Sequence, residues 1–172
     1  LQALIDGLNK TSDEQFYNFI TSSFDYNNLL NFLAVNLLTR NYSTYYHNYY
    51  LFHDINASGK WSIFPWDLDK TFLYYSDDHI YHHSSKHWAP DNPILERCIL
   101  DERIYSDIVN KVSDLYTSSI NDKIVSPFID SLIQVIAPLV ELDQSDNVES
   151  TSVWETKALR GKTAFNIRHS KL

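Results

Sequence analysis

The sequence predicts a mostly helical α+β domain with one small β-hairpin near its middle. Three observations carry this. Only three Gly and five Pro occur in 172 residues, so long elements should dominate. Apolar residues recur at helical spacing over most of the chain. One stretch breaks that period, where two runs rich in Tyr, Phe and Trp flank a turn at Gly59.

Taken in order, residues 1–22 read as helical. Leu1, Leu4, Ile5 and Leu8 share one face, and Ser12 or Asp13 can cap a second segment holding Phe16, Phe19 and Ile20. Asp25 reads as the N-cap of a buried helix, in which Leu29, Leu30, Phe32, Leu33, Val35, Asn36, Leu37 and Leu38 form a wide apolar surface. The polar and aromatic stretch after Thr39 reads as a loop. Strands are expected over 48–52 and 61–64, joined through Gly59, with Pro65 ending the pairing because it lacks an N–H. Residues 73–92 show no period. From Pro93 helices return, the first with Ile94, Leu95, Cys98 and Ile99. A second, capped by Asp101, carries Ile104, Ile108, Val112 and Leu115. Over 121–142, Ile124, Phe128, Leu132, Val135, Ile136 and Leu139 predict an inward-facing stripe, with a boundary or kink at Pro127 and Pro138. A last helix is expected over about 150–170, anchored by Trp154, Leu159, Phe165 and Ile167.

Composition narrows the function. Hydrophobic residues at 44% and charged residues at 21% exclude a disordered tail and a coiled coil, and the length suits one domain over 1–172. Fourteen Lys plus Arg against 22 Asp plus Glu give −8, which argues against nucleic acid as a partner. The single Cys98 excludes an internal disulfide framework and a multi-cysteine zinc site. No apolar run approaches the roughly 20 residues that span a bilayer, so no membrane-spanning segment is expected. The opening LQALIDGLNK carries neither Met nor a signal pattern, as expected for part of a longer protein.

Chemistry centres on what flanks the hairpin. A loop ends in Asn48 before it, and Asp67 and Asp69 stand at the strand end after it. Protein kinases use this order of parts. Their catalytic loop ends in a Mg²⁺-ligating Asn, and an Asp beyond the next hairpin holds the metal against the ATP phosphates. A strand end can fix an Asp while leaving its oxygens open to solvent and metal. By spacing alone this is a weak signal, since an Asp pair in a turn is more often a capping or solvated feature.

The wording of the segment is more specific. Asn48-Tyr49-Tyr50-Leu51-Phe52, then Gly59-Lys60-Trp61-Ser62-Ile63-Phe64, then Pro65-Trp66-Asp67-Leu68-Asp69, resembles the signature region of the CotH family of spore-coat-type atypical protein kinases. Asn92-Pro93-Ile94-Leu95 is similar to that family's short helix start, and Tyr26 to Phe32 to its helix before the catalytic loop. The resemblance covers about residues 10–170. It implies a kinase-like C-lobe, a helical bundle with the hairpin beside the catalytic loop. It also implies ATP and Mg²⁺ as cofactors, and transfer to Ser of a coat or surface protein. The implied setting is extracellular, at a cell surface or in a spore coat. Carried over by position, Asp67 is the metal-binding Asp and Asn48 the catalytic-loop Asn on the second metal site. Asp69 lies within the matched motif.

Two departures bear on activity. The kinase base belongs five residues before the Asn, where this chain has Ser43 and the family usually has Asp. Ser is uncharged near pH 7 and accepts a proton poorly. The nucleotide-covering lobe is expected upstream, since residues 1–24 read as helix. The sequence thus predicts either a CotH-type kinase lobe or a pseudokinase that acts as a surface or coat interaction module without phosphotransfer.

Other conspicuous residues have plainer readings. His79, His82, His83 and His87 read as a solvated or substrate-facing loop, since no helical period there would gather them on a metal. Tyr42, Tyr45, Tyr46, Tyr49 and Tyr50 read as packing around the hairpin, Trp61 and Trp66 as its anchors, and Cys98 as a buried, inert thiol. Arg97, Arg103 and Arg168 could bind phosphate or pair with acidic residues.

Overall fold

The computed structural model describes residues 1–39, 41, 44, 47–72, 92–143 and 150–169. Seven helices and one antiparallel hairpin are formed among them. The helices are α1 (Gln2–Lys10), α2 (Asp13–Ser23), α3 (Tyr26–Thr39), α4 (Pro93–Leu100), α5 (Glu102–Ser118), α6 (Asp122–Leu142) and α7 (Thr151–His169). The strands are β1 (Tyr49–His53) and β2 (Trp61–Pro65). The expected mostly helical α+β architecture is what forms.

Helix α3 is the hub. Its start is fixed by the Asp25 carboxylate, which accepts from the Asn28 amide at 3.1 Å. Leu29, Leu30, Phe32, Leu33, Ala34 and Leu38 are buried along it. It packs on α5, β2, α7 and α2. Leu4 and Leu8 of α1, Phe16 and Ile20 of α2, and Ile94, Leu95 and Cys98 of α4 complete the same core.

One arginine ties this core across the sequence. Arg97 on α4 resolves one open question, since its guanidinium donates to the Leu8 and Thr11 carbonyls at 2.8 Å and to Asp13 at 2.9 Å. It also lies over the Phe16 ring, 3.9 Å from its centroid. Arg97 therefore closes the exposed carbonyl end of α1 rather than offering a phosphate site. Arg97→Ala should cost about 2–4 kcal/mol, because two carbonyls and a carboxylate lose a charged donor. An unfolding titration showing less than about 0.5 kcal/mol would contradict that role. Arg103 pairs with Asp101 at 2.6 Å. The side chain of Arg168 lies outside the described residues.

Burial also stores a pH dependence. The Tyr26 phenol is pushed up by burial and by donating to Asp107 at 2.7 Å. Burial pushes the Cys98 thiol up, with nearby Asp101 adding to it. In the unfolded chain these groups release protons near pH 10 and pH 8.5, whereas the native state holds them. The unfolded state therefore binds fewer protons on the alkaline side, and stability falls there. It should be intact below about pH 8.5 and drop above it, by up to about 1.4 kcal/mol per pH unit for the buried Cys98 and by less for the part-buried Tyr26, whose charge water screens. Urea titrations at rising pH should show this, and Cys98→Ala should delay its onset towards pH 10. A flat profile up to about pH 11 would contradict the burial assigned to both groups.

The C-terminal helices depart from expectation. Residues 122–142 form one helix, and both prolines lie inside it without ending it. The predicted inward stripe faces outward, with Phe128, Val135 and Leu139 exposed at 61%, 67% and 60%. The reason is that α7 packs on the opposite side of α6, where Ile129, Ile133, Ala137 and Val140 are half-buried. Lys162 on α7 meets Asp130 on α6 at 2.6 Å. Of the expected α7 anchors, Phe165 is buried and Trp154 half-buried, while Leu159 is exposed. The Ile167 side chain lies outside the described residues. By length and composition α6 could cross a bilayer, with mean hydropathy 1.5 over its most apolar window. A single helix of this kind is weak evidence of a span, and Ser126, Asp130, Ser131 and Gln134 break its apolar residues into short runs.

Candidate active site

The hairpin register builds the site. Tyr49 pairs with Pro65, Leu51 with Ile63, and His53 with Trp61. Residues just outside the Tyr49–Pro65 pair must therefore meet at the open end, and these are Asn48 and Trp66-Asp67. The closed end is held by Asp54, whose carboxylate accepts from the Ser58 amide and hydroxyl at 3.0 Å. Gly59 there takes φ 67°, a conformation that favours glycine.

Helices seat this hairpin firmly. The free edge of β2 is covered by the α2–α3 junction. The Asp25 amide donates to the Trp61 carbonyl at 2.8 Å, and the Asn28 side chain accepts from the Ile63 amide at 2.7 Å. Tyr49 packs edge-on against Phe32, and Asn92 donates to its hydroxyl at 3.1 Å. Trp61 stacks on His53 with centroids 4.2 Å apart. Trp66 does not anchor the hairpin as expected. It is 58% exposed and rests edge-on against Tyr50, because the pleat turns both to the outer face. Tyr49 thus packs inward, whereas Tyr50 does not.

At the open end, the Trp66 amide donates to the Asn48 carbonyl at 2.9 Å. The buried Asn48 side-chain amide donates to the Asp67 carbonyl and to Asp67 Oδ2, both at 3.3 Å. These bonds bring together residues 19 positions apart in sequence. Asp67 itself is exposed and left-handed, with φ 53° and ψ 68°, a conformation that Asp tolerates better than most residues. A 3-10 turn at Leu68–Lys70 follows, with Asp69 exposed in it.

Phe72 ends this turn with φ 59°, an unfavourable conformation for a bulky residue. It is held there from two sides. Its amide donates to the Thr39 carbonyl at 2.8 Å, and its ring lies edge-on to Phe165 of α7, 5.3 Å away. Such strain persists only where the surroundings over-determine it, which marks 67–72 as a constrained segment.

The sequence reading missed a polar anchor for the other side of the site. Asn36, Asn41 and Thr44 are buried. The Asn41 side chain donates to Asn36 Oδ1 at 2.9 Å and to the Thr44 hydroxyl, and its amide donates to the Asn36 carbonyl at 3.1 Å. These bonds tie Asn41 and Thr44 to the end of α3. An Asn in the middle of an apolar helix was the available signal. Beside this anchor a cavity of about 300 Å³ opens between α3, β2 and the Leu68 turn, walled by Phe32, Val35, Ile63 and Leu68. The buried Thr71 hydroxyl, which also lines it, has no hydrogen-bond partner among the described residues. Neither Asn48 nor Asp67 lines it.

Of the four predicted site residues, the structure brings Asn48 and Asp67 into contact and places Asp69 in the adjoining turn. Ser43 lies outside the described residues, as do Tyr42, Tyr45 and Tyr46, and His79, His82, His83 and His87. Among the described residues no three His, Cys, Asp or Glu gather as a ligand set. The donors present are oxygens, namely the Asp67 carboxylate and Asn48 Oδ1, which accepts no hydrogen bond among the described residues. That chemistry fits Mg²⁺, which takes one or two carboxylates and keeps several waters.

A family model described as CotH kinase protein matches residues 1–169. The chain belongs to the CotH family. Over 72 residues it is 33% identical to the inner spore coat protein H of Bacillus subtilis (strain 168), a match covering 42% of this chain. The matched stretch spans 20% of that relative's length. The resemblance read from Asn48 to Asp69 is thus a family relationship over nearly the whole chain.

Proposed function

We propose that this chain is the catalytic lobe of a CotH-type protein kinase, in which Asn48 and Asp67 hold Mg²⁺ against the phosphates of ATP. The observation that carries this reading is the Asn48–Asp67 contact at the open end of the hairpin. The hairpin seated on α3 holds both residues without using up their oxygens. Asn48 orients the Asp67 carboxylate through Oδ2 and keeps its own Oδ1 for a ligand. Bound there, Mg²⁺ would neutralise charge on the phosphate oxygens. The acceptor would be a Ser hydroxyl of a coat or surface protein, and the setting a spore coat or cell surface. The name of the Bacillus subtilis relative supports the coat setting.

Ser43 favours a second reading, a pseudokinase that keeps Mg-nucleotide and serves as a coat or surface interaction module. By its spacing from Asn48 it falls at the sequence position where kinases carry the Asp that takes the acceptor's proton. The two readings separate in an assay with labelled ATP and Mg²⁺. Transfer by the unmodified protein should be slow, and Ser43→Asp should raise it by about 100-fold or more. If Ser43→Asp leaves measurable transfer unaltered, position 43 is not the base position. If neither protein transfers phosphate yet both bind Mg-nucleotide, the interaction-module reading stands.

A further inference from the structure

We propose that α6 is a dimerisation seam, pairing antiparallel with α6 of a second copy of this chain. Val125, Phe128, Leu132, Val135, Leu139 and Leu142 alternate steps of three and four along α6. That is the spacing of a helix-to-helix seam. The last five of these are 42% to 74% exposed, and no described element packs on them. The opposite side of α6 is already taken by α7, so the seam needs one partner along one stripe.

A second copy fits this stripe better than a bilayer does. The α6–α7 pair is a helical hairpin, and two such hairpins close into a four-helix bundle that buries both stripes at once. Together with Ile124 and Ile136, the stripe offers roughly 700 Å² per copy, close to the about 800 Å² each partner buries in a standard stable interface. No charged side chain lies on the seam, so it matches its own image under a two-fold axis, and that symmetry closes without further growth. Antiparallel pairing sets the helix dipoles in opposition. It centres on Val135 and lays Phe128 near the partner's Leu142. A bilayer would instead surround α6, yet Asp130 is paired with Lys162 halfway along it.

The test is the solution mass of the full chain at tens of micromolar. A dimer mass is expected for the unmodified protein. The monomer mass is expected for Leu132→Glu and for Leu139→Glu, with unchanged circular dichroism. An unmodified monomer would overturn the proposal, including one that partitions onto neutral phospholipid vesicles. So would a dimer that both folded variants retain. Should the variants fail to fold, Val135→Cys decides. Native Cys98 is buried, so the new thiol is the reactive one. Mild oxidation should join two copies through position 135, whereas Val109→Cys on exposed α5 should stay unlinked. Equal linkage at both positions, or none at 135, would overturn it.

Discussion

Asp67→Asn should lower the affinity for Mg-nucleotide by about 100-fold while leaving the fold intact. The substitution keeps the shape and the acceptor oxygen but removes the charge that a divalent cation needs. Because Asp67 is exposed, little stability depends on it. Titration calorimetry with ATP, with and without Mg²⁺, is the measurement. The Mg²⁺-dependent part of binding should vanish, and the thermal midpoint should stay within a degree or two. Asn48→Ala should lose binding too, but with a stability cost, because it removes a buried amide that bonds to the Asp67 backbone. Mg²⁺-dependent binding of equal strength in Asp67→Asn would place the metal elsewhere.

Ile63→Ala should be the most damaging change in the hairpin. Ile63 is 1% exposed and is the β2 residue that joins the hairpin to the core under α3. Lost burial and the residual cavity should cost about 2–5 kcal/mol. In a domain of this size that lowers the thermal midpoint by roughly 5–15 °C. The effect should reach the site as well, since the Ile63 amide is the group held by Asn28. Mg-nucleotide affinity should therefore fall even at temperatures where the helices remain folded. A midpoint shift below about 2 °C would mean that the hairpin is not anchored through Ile63.

Much of this was legible in the sequence because it is local. The alternation of aromatic residues around Gly59 fixes the hairpin. The register follows from the turn, and the register in turn makes Asn48 meet Asp67. Asn92 and Asp101 announced the starts of α4 and α5 and do cap them. What was not legible depends on partners distant in sequence. An arginine such as Arg97 looks the same whether it binds phosphate or closes a helix end 86 residues away. The stripe on α6 shows that a helix has an apolar face, but periodicity does not say what covers it. The strain at Phe72 had no signal, since it arises from α3 and α7 holding the segment from two sides.

The most direct test of the site is paramagnetic. With Mn²⁺ in place of Mg²⁺ and ATP present, NMR signals nearest the ion broaden first. The account predicts early loss of the Asn48 side-chain amide and the Asp67 and Leu68 backbone amides, with signals of α1 untouched. Broadening centred elsewhere in the protein, or none at Asn48 and Asp67 with ATP bound, would contradict it.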